Sequence, residues 1–221
     1  MTHNARRIGA LAAAVLGFAF VSGAHAQVFY SYPGARPVTD TSPSLGLVSG
    51  FGDNVVRLGG FGRFNLSSEA DLGLEVMFEN VDTEDTSDDT GYWGAGGDGK
   101  YLLVAANESN KFDVAVEAGV GFLSRSDYLL IHAPLGVVAS HDFIMNDGRR
   151  IVTYGGVYLL FDHVKIDAPA GAPADFDDSD TDFDVEMRIG ASAEIVKRGS
   201  LFAALHAGHG TMFFLGFNAG L

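Results

Sequence analysis

The chain has 221 residues, with 28 acidic residues against 14 Lys and Arg, a formal net charge of −14 and no cysteine. This charge disfavours a nucleic-acid partner, because binding nucleic acid requires a basic surface. The lack of cysteine excludes disulfides, thiolate metal sites and a cysteine nucleophile. The length suits one domain of about 200 residues.

The amino-terminal residues have the pattern of a cleaved export signal. Arg6 and Arg7 precede an apolar run from Ile8 to Val21, and Ala24-His25-Ala26 supplies the small residues that a signal peptidase reads. The run is shorter than the roughly 20 residues that a spanning helix needs. We predict a signal peptide over residues 1–26, and loss of its two arginines moves the net charge from −14 to −16.

Residues 27–43 contain three prolines and no alternation, so they predict an irregular lead-in to the domain that follows, over residues 44–221. That domain is built from alternating segments, and Phe183–Ile195 is the clearest. Its odd positions are all apolar, and its even positions are charged or small. Successive strand side chains point to opposite faces, so this segment predicts a strand with one apolar and one charged face.

Ten alternating segments follow one another. They cover 45–51, 56–66, 72–79, 92–105, 112–122, 128–143, 151–166, 183–195, 201–207 and 211–221. Every second connection is short, as in bacterial barrels with short periplasmic turns and longer external loops. We predict an all-β, closed, antiparallel, up-and-down transmembrane β-barrel of 10 strands. Eight strands remain the alternative if the first hairpin (Leu45–Leu66) or the last (Leu201–Leu221) is misassigned.

Two segments are less regular. Pro134 has no N–H to donate, so we expect a bulge or weakened pairing in the sixth segment. The seventh segment is apolar on both faces. We expect Val157, Leu159 and Phe161 to point outward, because that orientation turns Tyr154, Tyr158 and Asp162 inward.

A soluble lipocalin-like barrel would show the same alternation with its apolar face inside. Here the polar face is rich in Gly, Ala and Ser, as expected for a narrow lumen. From Phe213 to Leu221 every second residue is apolar, which resembles the terminal recognition signal of outer-membrane barrels, although these end more often in Phe.

Residues 44–221 as a whole resemble the small outer-membrane β-barrels grouped with the OmpA-like transmembrane domain and the opacity-type porin-like proteins. The resemblance implies the outer membrane of a Gram-negative bacterium as the location. It also implies outer-membrane lipid and lipopolysaccharide as partners.

The inward face carries charges of both signs. A buried charge is costly unless it is paired, so we predict an ion-pair network that plugs the lumen. Its predicted members are Arg57, Arg63, Glu75, Asp98, Lys100, Asp113, Glu117, Asp184, Glu186 and Arg188. A narrow cation-preferring path through this anionic lumen is the alternative.

Two external segments, 79–90 and 167–182, are acidic and contain no basic residue, whereas Lys and Arg gather in the short turns. Asp178, Asp180 and Asp182 have the carboxylate spacing of a calcium loop, but the glycine and distal glutamate of an EF-hand are missing. Flexible solvated loops are the first interpretation, and a divalent cation such as Ca²⁺ is the second. No other cofactor is expected.

Catalysis by a serine nucleophile requires an adjacent histidine and an orienting carboxylate. Ser140, His141 and Asp142 alternate across the sheet, so His141 points away from its neighbours. The only enzymatic candidates are Asp162, His163, His206 and His209.

We therefore predict a barrel that is not an enzyme and that serves envelope structure or surface interaction with an extracellular ligand through its acidic loops. A narrow porin-like channel or carrier for small solutes is the alternative, and a lipid A-modifying enzyme is the third interpretation.

Overall fold

A computed structural model describes residues 34–38, 43–81, 90–166, 179–208 and 210–221. The described residues contain ten strands, which follow one another along the chain. They are β1 (Ser44–Gly52), β2 (Val55–Asn65), β3 (Ala70–Val81), β4 (Thr90–Val104), β5 (Asp113–Arg125), β6 (Tyr128–Ile144), β7 (Arg150–Ile166), β8 (Ser179–Val196), β9 (Gly199–Ala207) and β10 (Thr211–Gly220). No helix in these ranges is long and apolar enough to cross a membrane.

The strands form one closed antiparallel barrel in which each strand pairs with its sequence neighbours and β1 pairs with β10. The closing ladder runs from Ser44 opposite Gly220 to Gly52 opposite Met212. Closure removes free sheet edges, which is what a sheet in hydrocarbon requires. The predicted ten-stranded up-and-down barrel is confirmed.

Exposed and buried residues alternate along the wall as the sequence predicts. Leu47 and Leu159 on the outer face are 70% and 60% exposed, whereas Arg57 on the inner face is 1% exposed. A soluble barrel would show the opposite arrangement, because water favours burial of the apolar face. The apolar side of this sheet therefore faces lipid.

Strand β7 has the predicted orientation, with Tyr154 and Tyr158 buried inside and Val157 and Leu159 outside. The β5–β6 ladder is interrupted between the pairs Ala118–Leu135 and Gly121–His132, and the register is unchanged across the gap. This gap lies at Pro134, so the pairing is weakened there without a bulge. Two register shifts occur elsewhere, between Leu102 and Val104 and between Glu194 and Val196.

Glycines on the inner face leave room for aromatic rings that fill the lumen. A Cβ on Gly46 would lie 2.1 Å from Cζ of Phe61, and a Cβ on Gly216 would lie 2.1 Å from Cζ of Phe202. The Phe61 and Phe202 ring centroids are 5.9 Å apart. The small residues of the inner face thus allow large ones to pack across it.

The wall is uneven in height. Strands β1, β2, β9 and β10 have 9 to 11 residues, whereas β6, β7 and β8 have 17 or 18. A tilted strand crosses a bilayer in about 9–11 residues. The three long strands therefore extend past the hydrocarbon. We call the end where β1 begins and β10 ends the inner mouth, and the opposite end the outer mouth.

Leu159→Arg tests the lipid-facing assignment. The charge would enter hydrocarbon at the middle of β7, so we expect the free energy of unfolding to fall by about 2–4 kcal/mol in lipid vesicles. Urea titration followed by tryptophan fluorescence measures it. Ile144→Arg, at the inner-mouth end of β6, is the matched control with an expected loss of about 0–1 kcal/mol. Equal losses at both positions would contradict the assignment.

Candidate functional site

The lumen is crossed by ion pairs between neighbouring strands. Arg57 on β2 stands directly opposite Glu79 on β3 and donates to its carboxylate, and both side chains are 1% exposed. Arg63, six residues further along β2, pairs with Asp71 on β3 at 2.5 Å and with Asp98 on β4. Each guanidinium is thus neutralised by a carboxylate on β3, and that of Arg63 also by one on β4.

Strands β4, β5 and β8 carry a second group of charges. Lys100 Nζ lies 3.6 Å from Glu117 Oε2. Arg188 pairs with Glu186 on its own strand, lies 3.9 Å from Glu117 and stacks over the Tyr158 ring at 3.9 Å. All of these side chains are buried. Pairing of this kind offsets the cost of removing charges from water.

Part of the lead-in enters the inner mouth. The backbone N–H of Ala35 donates to Ser140 Oγ at 2.9 Å, and that of Val38 donates to Asp71 Oδ2 at 2.9 Å. Lys100 Nζ donates to the carbonyl of Gly34 at 2.6 Å. Ala35 is fully buried. Residues 34–38 therefore lie against the ion-pair network and cover it at the inner mouth.

Arg36 anchors this segment through two hydrogen bonds to Asp113, at 3.2 and 2.9 Å. The hydrogen bonds to the Asp113 carboxylate raise the pKa of Arg36 above its ordinary value, against the opposing effect of partial burial. Arg36 stays charged at every physiological pH. The cationic half of this anchor is therefore permanent.

The structure brings most of the predicted lumen residues into contact. Arg57, Arg63, Asp98, Lys100, Asp113, Glu117, Glu186 and Arg188 all form ion pairs. Glu75 is buried on the same inner face. Asp184 lies nearer the outer mouth, where its carboxylate accepts from the backbone N–H of Val185 at 2.6 Å.

Two members of the network, Asp71 and Arg36, were missed from the sequence. Asp71 continues the inner face of β3 one residue before the predicted segment began, so extending the alternation would have found it. Glu79 was not missed, because it has the inward position of Glu75 in the third segment, although it also begins the external acidic segment. Arg36 lies in irregular chain, where no periodicity indicates a direction.

The calcium prediction rests partly on Asp178, which lies outside the described residues. Asp180 and Asp182 belong to strand β8, and their carboxylates accept from the backbone N–H of Thr181 and Phe183 at 2.8 Å. In the described ranges no three His, Cys, Asp or Glu side chains converge as metal ligands. Both carboxylates lie in the outer part of β8. This part is not paired with β9, since the pairing of the two strands begins at Met187.

The predicted histidine group does not converge, because neighbouring strand residues face opposite ways. Asp162 points inward, where its Oδ1 lies 2.5 Å from Nδ1 of His132. His163 faces outward, with Nδ1 2.9 Å from Thr181 Oγ1. His206 is buried deeper in the lumen against Phe214. His209 lies outside the described residues.

The His132–Asp162 pair was not predicted. Both residues have inward positions in the alternation of their strands, which could have indicated it. They stand directly opposite each other on β6 and β7. His132 is buried, and Asp162 is 22% exposed near the outer mouth. An apolar cluster of Met77, Leu123 and Leu130 lies at the same end of the lumen.

Arg188→Met tests the ion-pair network. The change keeps side-chain bulk but leaves Glu186 uncompensated, so we expect the free energy of unfolding to fall by about 3–5 kcal/mol. The double variant Arg188→Met, Glu186→Gln should recover most of that loss, because it removes both charges. Equilibrium unfolding in detergent micelles measures the coupling. Additive losses in the double variant would show that the pair is not coupled.

Scans of protein-family models and of curated protein sequences found no match. Solved structures do match. The β domain of the Bordetella autotransporter BrkA is 12% identical with a TM-score of 0.50, covering 81% of this chain and 99% of that one. The KdgM porin is 10% identical with a TM-score of 0.40, covering 80% and 99%.

LpxR from Salmonella typhimurium is 10% identical with a TM-score of 0.45, covering 84% of this chain and 86% of that one. LpxR is a lipid A deacylase, so outer-membrane barrels include enzymes as well as porins. The prediction that this protein is not an enzyme is contradicted by this enzymatic neighbour. That prediction rested on the missing serine–histidine–carboxylate arrangement, which does not exclude other catalytic chemistry. The narrower OmpA-like or opacity-type resemblance stays a prediction. At these identities the likeness concerns the fold, and the fold is that of an outer-membrane β-barrel.

Proposed function

We propose that this protein is an outer-membrane barrel with a closed lumen that serves envelope structure or contact at the cell surface. The observation that carries this proposal is the buried layer of paired charges across the barrel. Arg57, Arg63 and Arg188 are each only 1% exposed, so water does not reach them from either mouth.

A conducting pore requires a continuous wet path, and three features act against one here. Charged pairs fill the middle of the lumen, Phe61, Phe202 and Phe214 are packed beside them, and residues 34–38 cover the inner mouth. Barrels that leave an aqueous channel have about 16–18 strands. Ten strands leave room for little more than side chains.

Contact at the cell surface is favoured by the outer mouth. Strands β6 to β8 rise above the shorter strands, and the extension of β8 is lined by Asp180, Asp182 and Asp184. In the sequence the acidic segments 79–90 and 167–182 connect β3 to β4 and β7 to β8, and β3 and β7 both end at this mouth. An anionic projection of this kind attracts cationic groups on a ligand and divalent ions that bridge lipopolysaccharide phosphates.

Planar-bilayer recording tests the closed lumen. We expect no discrete conductance steps from the protein, because the ion-pair layer excludes a wet path. The double variant Tyr158→Ala, Arg188→Ala removes two stacked lumen side chains and should give small steps. A known porin in the same bilayer is the positive control. Regular steps from the unaltered protein would contradict the proposal and support the channel alternative.

Modification of lipid A is a second candidate, favoured by the His132–Asp162 pair. A carboxylate 2.5 Å from an imidazole nitrogen orients the ring. The other nitrogen, Nε2, is buried, so it can act as a base on water only once a bound lipid opens the outer mouth. The apolar cluster at the same end of the lumen has the chemistry of an acyl-chain surface. Both lie toward the mouth that would face the lipopolysaccharide leaflet.

Incubation with lipopolysaccharide followed by mass spectrometry tests this candidate. If it holds, acyl chains are lost, and His132→Ala slows the loss by roughly 100-fold or more, as is typical of removing a general base. His163→Ala is the matched control, since that ring faces away from the lumen. Unchanged lipid A after incubation with the unaltered protein would eliminate the candidate.

A further inference from the structure

A cavity opens at the inner mouth, beside the ion-pair network and at the end of the barrel away from the His132–Asp162 pair. Its volume is about 310 Å³, and its walls come from the lead-in, the start of β7, the turn between β8 and β9, and the end of β10. This is near the lower limit of about 300 Å³ for small-molecule pockets. In bacterial barrels this mouth faces the periplasm.

Cations dominate the cavity, although the chain as a whole carries a net charge of −14. Four basic side chains, Arg36, Arg150, Lys197 and Arg198, line it together with a single carboxylate, that of Glu194. Charges of one sign gathered in a concave site raise the local concentration of the opposite ion. The cavity therefore favours an anion in a molecule whose surface otherwise repels anions.

Two of these cations are held in place by carboxylates outside the cavity lining. Arg36 donates to Asp113 through Nε and Nη2, and Arg150 donates to Asp142 through Nη2. Each guanidinium has five N–H donors in a fixed fork, so one carboxylate leaves further donors unused. Fixed guanidinium groups bind carboxylate and phosphate at a low entropic cost.

The other two cations form the turn between β8 and β9. Arg198 has a φ of 65°, a backbone conformation that favours Gly or Asn. Lys197 is exposed beside it, with no ion pair to any described residue. An arginine held in this conformation keeps a second cation at the cavity rim.

Buried neutral groups complete the wall. Asn218 and Ser192 line the cavity and are 3% and 9% exposed, and Ser200 Oγ donates to Asn218 Oδ1 at 2.7 Å. Hydroxyl and amide groups of this kind fix the orientation of a ligand whose affinity comes from charge.

We propose that this cavity binds a small periplasmic anion through a phosphate or carboxylate group, with Lys197 and Arg198 as the principal contacts. Arg36 and Arg150 supply oriented donors at the back of the site, and Glu194 opposes the bound charge. The ligand stays at the inner mouth, because residues 34–38 and the ion-pair network close the lumen behind it.

Isothermal titration of the purified protein in a non-ionic detergent at low ionic strength tests the proposal. Inorganic phosphate and citrate are titrated separately, so that the two arms distinguish phosphate from carboxylate recognition. We expect saturable binding of at least one anion. The double variant Lys197→Gln, Arg198→Gln should bind it roughly tenfold more weakly, equivalent to about 1.4 kcal/mol.

Two further variants make the test specific. Glu194→Gln should bind the anion more tightly, because it removes the opposing charge. Arg149→Gln is the matched control: it removes a cation at the same end of the barrel that does not line the cavity and is paired with Asp147. Heat-dependent migration in SDS shows that each variant is folded.

The proposal is overturned if the unaltered protein binds neither anion saturably. It is also overturned if Arg149→Gln weakens binding as much as the double variant does, since the effect would then be one of total charge. Weaker binding by Glu194→Gln would likewise contradict the assigned geometry.

Discussion

The structure depends on hydrocarbon as the medium outside the sheet. In lipid every backbone N–H and C=O must be paired within the protein, which a sheet achieves only by closing on itself. The ladder between β1 and β10 provides that closure. Once the apolar face is turned outward, strand alternation sends the charged residues between the two mouths to the inside, where little water remains.

The lumen is a consequence of that constraint. Ten strands enclose a narrow space, so guanidinium and carboxylate groups on adjacent strands must neutralise one another. Arg63 between Asp71 and Asp98 shows this arrangement most clearly. The same crowding explains why aromatic rings lie over inner-face glycines and why residues 34–38 seal the inner mouth. The chemistry available to solvent is therefore confined to the two mouths.

The two mouths differ in charge and in shape. The outer mouth has a raised wall of three long strands, with aspartates along β8 and the His132–Asp162 pair beside an apolar cluster. The inner mouth has a cavity lined by arginine and lysine. The two ends of the barrel therefore present opposite charges to the solvent.

The sequence by itself determined the strands and the direction of nearly every side chain, because a period of two is visible wherever one face meets lipid. It favoured ten strands and left eight open, and the closed ladder between β1 and β10 decided for ten. The sequence placed Tyr154 and Tyr158 inside, although their segment is apolar on both faces. The reason is that both tyrosines lie on the same face of the strand as Asp162, whose charge favours the inside. Only the tertiary structure decided which charges meet. Parity shows that Asp162 faces inward, but strand register selects His132 as its neighbour and leaves His163 outside. Arg36 and the inner-mouth cavity lie where the irregular lead-in meets the turn between β8 and β9. These segments are far apart in the sequence, so no local periodicity predicts that they meet.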